Sequence, residues 1–186
     1  KSLGPILWVG RLALLAFFLT HIWVGLRLTL QNKASRMGGY QRAATVKASL
    51  ASRTMIYSGA LILIFVVYHV LHFTAHTIDE RFASLVDAAG RPDVYTMVVM
   101  GFSDPVNSLS YIAIMVLVGA HISHGIYSMF QTMGLNAPSF EPKLTRIAWA
   151  LTIVIVLGFV AAPLGVMTGA VQLTPETLAQ VAGGLH

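Results

Sequence analysis

Cysteine is missing from the 186-residue chain. That excludes thiolate-held iron–sulfur clusters and covalent C-x-x-C-H haem attachment within it. Charge is scarce too: 10% of residues are Asp, Glu, Lys or Arg, where an ordinary soluble domain has about a quarter. The seven acids are absent from residues 31–54 and from the interior of every long apolar run. There are no internal repeats, no low-complexity tracts and no linker long enough to separate domains. Without repeats or intramembrane acids, a transporter built on pseudo-symmetric halves finds little support.

What fills the chain is apolar. Hydrophobic residues make up 56% of it, and the mean hydropathy is +0.73. Four largely apolar stretches cover about 5–30, 55–78, 106–131 and 144–171, each longer than the ~20 residues that cross a bilayer as helix. The first is too long, and too closely followed by other spans, for a signal peptide. The expected fold is all-α: an integral membrane helical bundle with four transmembrane helices, forming a single domain over 1–186. The loop 79–104 holds the turn-rich sequence Ala89-Gly90-Arg91-Pro92-Asp93, and a short amphipathic helix is expected around Arg81–Ala89. Beyond Leu173 a short helix is expected, with Thr174 as cap and Pro175 in its first position.

Charge distribution orients the spans. Lys33, Arg36, Arg42, Lys47 and Arg53 lie between the first two, with no acid among them. Asp79, Glu80, Asp87, Asp93 and Asp104 lie between the second and third, against Arg81 and Arg91 alone. Lys143 and Arg146 stand at the start of the fourth. The positive-inside rule then puts loop 31–54 and residues 132–143 in the cytoplasm, and loop 79–104 and the C-terminus outside. Five dispersed basic residues beside a membrane are this topological signal, so nucleic acid is not an expected partner.

Histidine is the unusual component. His21 lies in the first span, His69, His72 and His76 in the second, His121 and His124 in the third. An ionisable ring in hydrocarbon is costly and normally faces the bundle interior, with a partner. Imidazole is also a common metal ligand and an axial ligand of haem iron. Three apolar helices carrying imidazole therefore suggest a redox cofactor held non-covalently inside the membrane.

Depth decides which rings can meet. At 1.5 Å of rise per residue, His21 falls about 16 residues into a descending span and His121 about 15 into another. Both are expected in the inner half of the bilayer, able to clamp one iron from opposite sides. His69, about 14 residues up an ascending span, is expected in the outer half. The fourth span has no histidine, so a partner for His69 is expected on a further helix before Lys1. A structural interhelical hydrogen bond is the alternative for each ring. His72 and His76 are expected near the face of His69, at +3 and +7, and beside Asp79 and Glu80 neither needs a metal. His124, one turn past His121, is expected at a haem edge or propionate. Gly25 and Gly125 each follow a candidate ligand by four residues, where a flat macrocycle has room; small-residue helix packing is the competing explanation. Arg27, Ser52 and Arg53 sit at inner span ends, within reach of propionates, although snorkelling is the stronger explanation for the two arginines.

Three segments carry a family resemblance: Leu19-Thr20-His21-Ile22-Trp23-Val24-Gly25, Ser58-Gly59 followed by His69-Val70-Leu71-His72, and Ala120-His121-Ile122-Ser123-His124-Gly125-Ile126-Tyr127-Ser128-Met129-Phe130. Together they resemble the cytochrome b membrane anchor subunit of succinate dehydrogenase and fumarate reductase, of the single-subunit, five-helix, di-haem bacterial type. The similarity runs over essentially the whole chain, as helices two to five of that subunit. It implies two haem b groups, the inner one ligated by His21 and His121, the outer by His69 and a first-helix histidine, with Ser58 among the residues near the cofactor. It implies a flavoprotein subunit and an iron–sulfur subunit as partners in the respiratory complex II of the tricarboxylic acid cycle. It places the chain in a bacterial cytoplasmic membrane, passing electrons from succinate to a quinone, commonly menaquinone. On that resemblance the chain is part of an enzyme without acting on succinate itself. The intramembrane glutamates that some fumarate reductases use have no counterpart here; His72 and His76 are the candidates for quinone chemistry instead. A b-type subunit of a formate dehydrogenase or hydrogenase, and a haem-free anchor, are the remaining alternatives.

Overall fold

Inside a bilayer, backbone N–H and C=O groups have no water to bond, so a spanning segment satisfies them internally as helix. The computed structural model describes residues 4–34, 50–134, 137, 140–175, 177, 178 and 181, with the backbone alone for 50–52. Among the described residues there are five α-helices: α1 (Gly4–Ala34), α2 (Leu50–Phe73), α3 (Val94–Ser103), α4 (Pro105–Thr132) and α5 (Glu141–Met167). Four of them, α1, α2, α4 and α5, are long and apolar enough to cross a membrane, and no strand occurs among the described residues. The all-α, four-span architecture read from the apolar runs is therefore observed.

The chain falls into two compact units, Lys1–Gly59 and Ala60–His186, with the boundary inside α2. In the first, α1 buries none of its residues. Its hydroxyls turn back on the helix: Thr20 Oγ1 donates to Ala16 O and Thr29 Oγ1 to Gly25 O, each at 2.8 Å. That is how a side-chain donor is satisfied where water is absent.

The second unit is organised by α4 and α5, with α3 packed against both. Buried residues recur at helical spacing, Ser108, Tyr111, Gly119 and Ser123 on α4, Ala148, Thr152, Val160 and Pro163 on α5. Helix ends are set by residues with the right chemistry. Asp93 accepts from Thr96 N at the start of α3, and Asp104 from Val106 N at the start of α4, where Pro105 follows the cap. Gly134 and Gly169, at φ 77° and 73°, stand just beyond α4 and α5, the left-handed position that stops a helix.

Two expectations are corrected. The second apolar run extends to residue 78, but α2 ends at Phe73. Thr77 N turns back to Leu71 O at 3.0 Å, and His76 adopts left-handed backbone at φ 56°. The helix expected around Arg81–Ala89 is instead a 3-10 turn over Glu80–Ser84, capped by Asp79, then a turn closed by an isolated Val86–Pro92 bridge. The regular helix of this loop is α3, ten residues further along. The cap expected at Thr174 is present, its Oγ1 accepting from Thr177 N at 3.3 Å.

Candidate functional site

The histidines of α2 meet α4 through one phenol. Tyr111 lies on the buried face of α4; its hydroxyl is 3.2 Å from His72 Nδ1 and 3.5 Å from His69 Nδ1. One turn separates the two imidazoles on α2, so both reach the same oxygen. His72 is 2% exposed and is among the largest fully buried side chains. Phe73, Tyr68 and Phe82 enclose it, with ring centroids 4.2, 5.4 and 5.5 Å away. His69 is exposed at the cluster edge, stacked on Phe65 at 6.1 Å. Phe102 packs edge-on to Tyr111 at 5.0 Å. Nearby, Tyr68 donates to Asn107 Oδ1 at 2.8 Å, and Asn107 Nδ2 donates to Gly101 O at 3.4 Å. This polar chain ties α2 to the α3–α4 corner, where a Cβ on Gly101 would lie 2.7 Å from the Phe73 ring and force the ring or the helix to shift.

Other expected site residues are placed differently. His76, expected on the His69 face at +7, lies past the helix end, edge-on to Phe82 at 6.2 Å. The physical cause is the left-handed turn, which breaks helical register after Phe73. His72, expected to be interfacial beside Asp79 and Glu80, is interior. His121 and His124 are half-buried on α4. His21 is on α1, exposed within its unit. Arg27 sits over the Trp23 ring at 5.2 Å, and Arg53 opens the apolar stretch of α2. Ser58 is buried and donates to Met55 O at 3.0 Å; the side chain of Ser52 is outside the described residues. A Cβ added at Gly25 or Gly125 would meet nothing within 4 Å, so neither is a packing glycine in its own unit. Among the described residues no three His, Asp or Glu side chains converge on a metal position.

At the loop end, the charged groups neutralise one another. Arg81 Nη2 is 2.6 Å from Asp79 Oδ2, and Arg91 Nη2 is 2.7 Å from Asp87 Oδ2. Hydrogen bonding from the guanidinium holds the Asp79 carboxyl below its usual range, and Arg91 does the same for Asp87. An open recess of about 380 Å3 lies here, lined by Arg81, Asp87, Asp93, Thr96, Met100 and Thr177. Its carboxylates are already taken, Asp93 by the α3 cap and Asp87 by Arg91, and no candidate histidine lines it.

Residues 40–162 match the family described as succinate dehydrogenase/fumarate reductase transmembrane subunit. The chain belongs to that family. Comparison with curated proteins and with solved structures returned no match. The matched segment holds Ser58, His69, His72, Tyr111, His121 and His124 of this succinate dehydrogenase/fumarate reductase subunit, while His21 and α1 precede it. It names this complex rather than a formate dehydrogenase or hydrogenase. Tyr111 and its neighbour Asn107 escaped the reading of the sequence. The available signal was a tyrosine near the start of the third apolar run, since a buried phenol hydroxyl usually finds a partner.

Proposed function

We propose that the chain is the haem b-carrying membrane anchor of a succinate:quinone oxidoreductase. In this reading it seats a flavoprotein and an iron–sulfur subunit on the cytoplasmic face of a bacterial inner membrane. The observation that carries it is the family match over a segment holding the histidines of two apolar helices. When bound, haem b supplies a one-electron carrier between the iron–sulfur subunit and a quinone, menaquinone being the candidate.

The residues present fit such a group. His21 and His121 would hold the inner haem, and His69 would hold the outer one with a histidine from a further helix. An imidazole that donates its Nδ1–H to an acceptor keeps the Nε2 lone pair for iron, and the Tyr111 hydroxyl lies 3.5 Å from His69 Nδ1, where it can act as that acceptor. Gly25 and Gly125, each one turn past a candidate ligand, leave open space beside the helix, as a macrocycle lying flat needs. His124, Arg27, Ser52 and Arg53 are the candidates for haem edges and propionates. His76, placed in the turn outside α2, is a better candidate for contact with quinone than buried His72.

The direction of catalysis proposed is succinate oxidation, with loop 31–54 inside and loop 79–104 outside. Reduced-minus-oxidised spectra of the purified complex test the reading. His21→Ala and His121→Ala should each remove one b-type component, and His69→Ala the other. A complex with no b-type spectrum, or one indifferent to all three substitutions, refutes it.

A further inference from the structure

One hydroxyl lies between two imidazole nitrogens, and its single proton can serve only one of them. Tyr111 Oη is 3.2 Å from His72 Nδ1 and 3.5 Å from His69 Nδ1. With the phenol proton placed in one of these contacts, one ring accepts it and the other completes the pair by donating its own Nδ1–H to the phenol oxygen. Two arrangements satisfy this. If His72 donates and His69 accepts, His69 carries its proton on Nε2 and that nitrogen cannot bind metal. If His69 donates and His72 accepts, His69 Nε2 keeps its lone pair.

We infer that Tyr111 is the positioning residue of the outer haem ligand: it accepts from His69 Nδ1–H, donates to buried His72 Nδ1, and so presents His69 Nε2 to iron. This rests on the proposed role of His69, which selects the second arrangement. Geometry suits each member to its place. His72, 2% exposed within the rings of Tyr68, Phe73 and Phe82, is a fixed acceptor that locks the phenol proton away from His69. Tyr111, on the buried face of α4, is held edge-on by Phe65 and Phe102 at 4.8 and 5.0 Å. His69 is the one exposed residue of the three. The buried second histidine of the His69-Val70-Leu71-His72 segment thus acquires a task that needs neither metal nor quinone. An Nδ1–H bonded to an acceptor makes an imidazole a more basic ligand, which favours oxidised iron and lowers the potential of the group it binds.

Redox titration of the membrane complex, with haem content and thermal stability measured alongside, tests the inference. His69→Ala first identifies the outer component as the one it removes. Tyr111→Phe, which deletes one oxygen, should retain both components and raise the midpoint of the outer one while the inner stays fixed. His72→Leu should raise the same midpoint, and His72→Gln, which restores an acceptor for the phenol proton, should return it towards the wild-type value. This pair also serves if Tyr111→Phe does not assemble. A Tyr111→Phe complex that is less stable but titrates like wild type overturns the inference, as does an unmoved midpoint in His72→Leu. If His69→Ala instead leaves both components in place, the ligand assignment itself fails.

Discussion

Gly119 of α4 and Val156 of α5 approach so closely that a Cβ on the glycine would lie 2.7 Å from Val156 Cγ2. The same Cβ would be 3.3 Å from Thr152 Cγ2. Between lipid-surrounded helices there is no hydrophobic drive to associate, and close backbone approach through small residues takes its place. This contact therefore sets how closely α4 and α5 meet.

Gly119→Ala should loosen that pairing. Val156 is β-branched and has little rotamer freedom in a helix, so relief has to come from helix separation, at a cost of about 1–3 kcal/mol. Thermal unfolding of the purified complex should show the loss. Gly125→Ala is the matched contrast, because its Cβ would meet nothing within 4 Å. It should leave stability of the haem-depleted protein unchanged or slightly raised. If a macrocycle occupies the open space, the same substitution should lower haem content. Equal destabilisation by both alanines would contradict the packing described.

Asp79 makes the loop 79–104 acid-sensitive in a definite direction. It caps the 3-10 turn through Arg81 N at 3.2 Å and pairs with the Arg81 side chain. Its carboxyl is held below the usual value, chiefly by the hydrogen bond from Arg81. Folded chain thus releases the proton more readily than unfolded chain. The stability this contributes is present above the unfolded value of about 4 and is lost as pH falls through the folded one. Arg81 is half exposed, so solvent screening keeps the amount below about 1 kcal/mol. Amide exchange at Arg81 should be flat from pH 7 to about 5 and accelerate, after correction for intrinsic rates, only below about 4. In Asp79→Asn that acid-induced step should disappear.

Apolar length was readable in the chain because it follows from one-dimensional spacing. Four runs longer than a bilayer's thickness leave helix as the sole open structure, and α1, α2, α4 and α5 follow. Features that depend on tertiary partners were hidden. His72 looks interfacial when Asp79 and Glu80 are its visible neighbours; its burial depends on Tyr111, 39 residues away. The segment Val94–Ser103 is ten residues long, too short to read as a span, and an apolar run of that length is ambiguous without the surfaces of α4 and α5. The end of α2 was obscured because Thr74-Ala75-His76-Thr77-Ile78 contains neither glycine nor proline. A non-glycine residue in left-handed backbone carries no sequence signature.

That turn gives a prediction about His76. At φ 56° a non-glycine residue carries about 1–2 kcal/mol of steric cost, partly offset because glycine loses more backbone entropy on folding. His76→Gly should leave stability unchanged or raise it by up to about 1 kcal/mol. Quinone reduction by the same variant separates the two roles of the residue. A raised KM for quinone with unchanged stability supports the contact proposed for His76. An unchanged KM leaves the side chain as a passive occupant of the turn.

Thr152 provides the final test, of α5 itself. Its Oγ1 is buried, 3% of the residue is exposed, and it has no hydrogen-bond partner among the described residues. An unmade hydrogen bond in a buried setting costs about 1–3 kcal/mol. Its Cγ2 meanwhile makes the contact opposite Gly119. Thr152→Val keeps a branched side chain against Gly119 and exchanges the orphaned hydroxyl for a methyl, so thermal stability of the complex should rise. Thr152→Ala removes hydroxyl and methyl together and should gain less, because it opens a void beside Gly119. A fall in stability with valine would mean that the hydroxyl finds a partner in the assembled complex, and haem content and quinone reduction in that variant would show whether the partner belongs to the redox path.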